Sequence, residues 1–124
     1  MARILIVDDA LFMRQVLTTI FIAEGHEVCG EASNAKDGVE KYKTLKPDLV
    51  TMDIVMPMME ELDGIGAVKE ITKFDPKAKI LIISAMSQQA LVVEAIRLGA
   101  KEFLNKPVNP DRLKDAVRKI LANP

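Results

Sequence analysis

The chain has no tryptophan and only one cysteine, one tyrosine and one histidine. A lone Cys29 cannot close an internal disulfide, so the fold must be held by its core, and the sequence reads as one from a reducing compartment. Cys29 lies in a strand-like run and is expected to be a buried, inert thiol. An excess of one charge is also missing. The formal net charge is −1, which gives no basis for nucleic acid or a membrane surface as a partner. Basic residues are scattered, apart from Arg112, Lys114, Arg118 and Lys119, which read as a solvated helical face. No apolar run approaches the roughly 20 residues needed to span a bilayer. Met1-Ala2-Arg3 leads into a strand with no leader-like stretch. A soluble, cytoplasmic monomer is expected. No linker or low-complexity tract breaks the chain, so 1–124 reads as one domain, long enough to bury a core.

What is present is an alternation of strand and helix patterns. Strands are predicted over 4–7, 27–31, 49–52, 79–84 and 102–105. Helices are predicted over 11–24, 35–45, 65–74 and 88–98, with a last one opening at Asn109-Pro110. Phe12, Val16 and Ile20 are expected to face the core from the first helix, and Ile65, Val68 and Ile71 from the third. Leu113, Ala116, Val117, Ile120 and Leu121 form the stripe of the last. Gly25 and Gly99 read as helix terminators and Asn34 as an N-cap. The continuous aliphatic runs imply strands buried on both faces, hence a parallel sheet covered by helices on each side. The predicted fold is a doubly wound, flavodoxin-like (βα)5 domain with strand order 2-1-3-4-5.

Asp8 and Asp9 close the first strand and Asp53 closes the third. In that strand order the two are neighbours, and such sheets bind ligands beyond the carboxyl ends of their strands. Three clustered carboxylates repel one another unless a hard cation of the Mg²⁺ type lies among them. Ser84 closes the fourth strand and Lys106 follows the fifth. Taken singly, these are ordinary turn, cap or surface residues. Their arrival at one sheet edge from four separate segments points to phosphoryl transfer onto a carboxylate. Asp is the nucleophile, a cation neutralises the phosphoryl oxygens, and a Lys point charge and a Ser hydroxyl contact the rest.

The set Val7-Asp8-Asp9, Met52-Asp53-Ile54-Val55-Met56-Pro57, Ser84-Ala85 and Lys106-Pro107 resembles the CheY-like receiver domain of two-component response regulators. The resemblance spans essentially the whole chain. It implies Asp53 as phosphoacceptor, with one Mg²⁺ held by Asp9, Asp53 and the Val55 backbone carbonyl, and by Asp8 mainly through water. It implies Lys106 as the lysine that contacts the phosphoryl group, before a cis peptide to Pro107. Ser84 matches the hydroxyl that turns toward the phosphate, and Phe103 the aromatic residue that changes rotamer with it. A phosphoryl group adds about −1.5 to −2 of charge, enough to bias such a pair. The surface of the fourth helix, fifth strand and fifth helix is then the expected partner interface.

The opening Asp9-Ala10-Leu11-Phe12-Met13-Arg14 is similar to stand-alone chemotaxis regulators and to the receiver domains of chemotaxis methylesterases. The implied partners are a sensor histidine kinase as phosphodonor and a downstream motility, switch or adaptor protein. No second domain follows the last helix, so output through a bound protein is expected. The implied protein is not an enzyme beyond transfer to its own Asp53 and the loss of that group. A phosphorelay intermediate would differ only in its partners. Met58-Met59-Glu60-Glu61-Leu62 makes the connection to Asp63-Gly64 longer than is usual in the family and reads as a solvated acidic loop. Val55 and Met86, near the path of attacking water, are expected to slow loss of the phosphate. Two rivals share parts of the pattern. A flavodoxin-like FMN carrier needs a phosphate-cradling loop where Asp8 and Asp9 stand, and a dehalogenase-like phosphatase needs a DxD pattern in place of adjacent Asp8-Asp9.

Overall fold

A computed structural model describes residues 1–56, 62–85 and 89–123. Five strands, β1 (Arg3–Val7), β2 (Glu27–Ala32), β3 (Leu49–Met52), β4 (Ile80–Ser84) and β5 (Glu102–Asn105), form one parallel sheet in the order β2-β1-β3-β4-β5. Five helices alternate with them: α1 (Leu11–Ala23), α2 (Ala35–Leu45), α3 (Gly64–Phe74), α4 (Gln89–Arg97) and α5 (Pro110–Ala122). The predicted architecture and strand order are both observed.

Side chains alternate across the sheet as a two-residue period requires. Leu5, Val7, Val50, Met52, Ile80 and Ile82 face one core with Val39, Tyr42, Val68, Ile71 and Ala95. Ile4, Ile6, Leu49, Leu81 and Ile83 face the other with Leu17, Phe21, Leu113, Val117 and Ile120. The three inner strands are thus buried and largely apolar on both sides, which explains their aliphatic runs, with Thr51 a buried polar residue in β3. Asn34, Asp63 and Asn109 each accept backbone N–H groups at the starts of α2, α3 and α5. Gly25 follows α1 at a φ of 84°, where a side chain would be strained. Gly64 serves a different need: a Cβ there would lie 2.6 Å from the Asp53 carbonyl, so its lack of a side chain lets α3 close against the end of β3.

Two expectations are corrected. Phe12 is 76% exposed, and α1 buries Leu17 and Phe21, with Met13 and Ile20 packed beside them. This helix is apolar around most of its circumference, so its pattern does not single out the buried stripe. Cys29 is half-buried, and its thiol lies 3.5 Å from the Ile4 carbonyl. Burial still pushes the thiol pKa up, which disfavours the reactive thiolate. The second helix spans 35–45 as expected, and its C-cap Lys46 is left-handed with φ 48°. The Arg3 guanidinium donates to the Leu45 and Lys46 carbonyls there, satisfying orphan groups of the helix end.

Candidate functional site

The strand order creates the site. Val7 pairs with Met52 across β1 and β3, and the Asp53 N–H donates to the Val7 carbonyl at 3.0 Å. The residues that follow these strands, Asp8 and Asp53, are therefore side by side. Ser84 pairs with Asn105 across β4 and β5, and the Lys106 N–H donates to the Ser84 carbonyl, which aims Lys106 back over the sheet edge.

The Lys106 ammonium reaches both acids, 2.7 Å from Asp8 Oδ2 and 3.0 Å from Asp53 Oδ2. Asp8 and Asp53 are buried and Asp9 is exposed. Each of the three offers a carboxylate oxygen, and these oxygens all lie within 4.8 Å of one another. The other carboxylate oxygens of Asp8 and Asp53 are also held. Ala10 N–H donates to Asp8 Oδ1 and Val55 N–H to Asp53 Oδ1, both at 2.9 Å. Burial pushes the Asp53 carboxyl above its ordinary range, against the pull of the Val55 N–H and of Lys106. For Lys106 burial alone would lower the pKa, but its hydrogen bonds to Asp8 and Asp53 prevail and raise it.

All three acids and Lys106 thus converge as the sequence implies. Lys106 is found on Asp8 as well as Asp53, a pairing that the sequence reading does not contain. Val55 is 43% exposed beside the site. Lys106-Pro107 is cis. Ser84 is fully buried, and among the described residues its hydroxyl has no hydrogen-bond partner. Phe103 is half-buried and packs against the core that faces α2 and α3. Pro57, Met86 and residues 58–61 of the long connection, with Glu60 and Glu61, lie outside the described residues.

The donor set tests the case for a cation. Three close carboxylates, two of them buried with a single ammonium between them, form a hard-oxygen set of the kind Mg²⁺ prefers. The residues fit. A phosphate-cradling loop does not, because the first turn after β1 presents carboxylates.

Comparison with known proteins gives a consistent result. Residues 4–118 match the family described as response regulator receiver domain. The chain is 58% identical over 118 residues to the chemotaxis protein CheY of Thermotoga maritima, covering 95% of this chain and 96% of that one. It is 53% identical to the chemotaxis protein CheY of Bacillus subtilis, covering 96% and 97%. Among solved structures, a CheX-CheY-BeF3-Mg complex from Borrelia burgdorferi superposes with a TM-score of 0.89 at 37% identity, covering 95% and 87%.

Proposed function

From its membership of the response regulator receiver domain family, to which the chain belongs, we propose that Asp53 is the phosphoacceptor of a chemotaxis regulator. The protein is a CheY-like, phosphorylation-activated response regulator. One observation carries the assignment of the site: the Lys106 ammonium spans Asp8 and Asp53 beside Asp9, at the carboxyl edge of the sheet.

Each residue then has a distinct role. Asp53 Oδ attacks a phosphoryl group delivered by a sensor histidine kinase, and the bond to the donor's leaving atom breaks as the Asp53 acyl phosphate forms. Asp8, Asp9, Asp53 and the Val55 backbone carbonyl would hold one Mg²⁺. Once bound, the cation would supply charge neutralisation for the phosphoryl oxygens. Lys106 moves its charge-assisted contacts from the two carboxylates to the phosphoryl group. The Ser84 hydroxyl, unpartnered among the described residues, gains an acceptor only in the phosphorylated state. Phe103 fills the space that it leaves and alters the α4-β5-α5 surface, where a downstream protein binds. No second substrate is turned over; the protein acts only on its own Asp53. Among the described residues no helix is long and apolar enough to cross a membrane, which supports a cytoplasmic role.

The direct test is intact mass after treatment with acetyl phosphate and Mg²⁺. One added phosphoryl group in the wild type and none in Asp53→Asn is the expected result. Equal labelling of Asp53→Asn would overturn the assignment.

A further inference from the structure

We propose that Arg14 is a positioning residue for the acidic crevice: its guanidinium, held by Glu31, fixes the backbone between Asp8 and Asp9 and so sets the spacing of the three carboxylates. The inference rests on the functional reading above and adds a residue that touches none of the reacting atoms.

Arg14 leaves the first turn of α1 and turns back across the end of the sheet. Its Nη1 donates to the Asp8 carbonyl at 2.7 Å, and its Nε donates to Glu31 Oε1 at 2.9 Å. The side chain is only 15% exposed, deep for an arginine, whereas Glu31 is 43% exposed. An exposed ion pair alone contributes little. The short bond to a backbone carbonyl is the informative contact. That carbonyl belongs to the planar peptide whose other end is the Asp9 nitrogen, so fixing it fixes the plane from which Asp9 branches. Asp9 is exposed, and its bearing depends on that plane.

Glu31 is itself tied down, because Lys41 of α2 donates to its backbone carbonyl. The result is a polar chain that links α2, β2 and α1 to the ends of β1, β5 and β3. It runs from Lys41 to Glu31, to Arg14, to the Asp8 carbonyl, and through the Asp8 carboxylate to Lys106, Asp53 and the Val55 N–H. An arginine makes both contacts through two N–H groups of its planar fork, held at a fixed angle. A lysine offers a point charge without that fixed geometry. Groups of this kind, which hold ligand-bearing residues without touching the cation, commonly change affinity about tenfold or more when removed.

Free Mn²⁺, counted by electron paramagnetic resonance, reports binding to the unphosphorylated crevice without any turnover. The wild type is measured first. If it neither binds Mn²⁺ nor labels at Asp53, the functional reading itself fails. Arg14→Met keeps the aliphatic stem, and its Mn²⁺ dissociation constant is expected to rise about tenfold, with the acetyl phosphate labelling rate falling in step while circular dichroism stays native. Arg14→Lys should recover part of the loss. Should Arg14→Met fold poorly, Glu31→Ala frees the guanidinium instead and should weaken Mn²⁺ binding in the same direction, adding nothing further in the Arg14→Met background. Wild-type Mn²⁺ affinity and labelling in either folded variant would overturn the proposal and leave the role of Asp53 intact.

Discussion

At the amino edge of the sheet, Arg3 donates from its backbone to Asp48 and from its guanidinium to the end of α2. His26 Nδ1 accepts the Ala2 N–H there, and Tyr42 donates to Asp75 at 2.8 Å. At the carboxyl edge, two buried carboxylates share one ammonium, and the buried Ser84 hydroxyl has no partner among the described residues. The carboxyl edge carries the strand-to-helix connections and the switch point between β1 and β3, where this topology places a site. One edge matches its polar groups and the other leaves a surplus of negative charge and an idle hydroxyl. A buried polar group without a partner costs free energy that a bound ligand can recover. The mismatch marks the edge at which a cation and a phosphoryl group are stabilising.

Removing the single ammonium sharpens that contrast most. Lys106→Met leaves Asp8 and Asp53 buried without their shared cation and is expected to cost about 3 kcal/mol in urea unfolding at neutral pH. The loss should shrink in acid, where one carboxyl takes up a proton, and on addition of Mg²⁺. An unchanged midpoint would show that the two acids do not repel.

At the matched edge, Tyr42→Phe removes one hydrogen bond to a carboxylate and should cost about 1.5 kcal/mol. Burial, reinforced by the bond to Asp75, raises the Tyr42 pKa. Above the ordinary tyrosine value the unfolded chain therefore releases this proton while the native chain keeps it. Stability contributed by the neutral hydroxyl falls as pH rises through that window, and the fall disappears in Tyr42→Phe. Tyr42 is the one tyrosine, so tyrosinate absorbance reads it directly. Titration at the same pH in native and denatured protein would contradict the account.

The same sign is expected for Asp53, in the acid range. Its carboxyl lies above the ordinary range, so between the two values the native state holds the extra proton and stability falls as pH rises. Without metal, Asp53→Asn should lose this slope in urea melts across the carboxylate range; retention of the slope would assign it to another group. The smallest effect is predicted for Ser84→Ala, a change of at most about 1 kcal/mol, because no described partner is lost. A larger loss would reveal a structural role for the hydroxyl.

The strands, their order and the convergence of Asp8, Asp9, Asp53 and Lys106 were legible because aliphatic runs and strand ends are local features of the chain. What was not legible is lateral. Arg14 meets Glu31 across 17 residues and the Lys106 ammonium also meets Asp8, and such pairs depend on which elements lie side by side. Phe12 was misplaced because apolar residues surround most of α1, so only docking decides that Leu17 and Phe21 go inward. Lys46 takes a conformation usually left to glycine, and the Arg3 guanidinium that donates to its carbonyl lies 43 residues away.

The most direct measurement is the chemical location of the phosphoryl group. Borohydride reduces an aspartyl phosphate to homoserine, so peptide mass mapping of protein labelled with acetyl phosphate identifies the acceptor. Homoserine at position 53 alone is the predicted result. Homoserine at position 8 or 9, with Asp53 unchanged, would contradict the division of the crevice into one acceptor and its supporting acids.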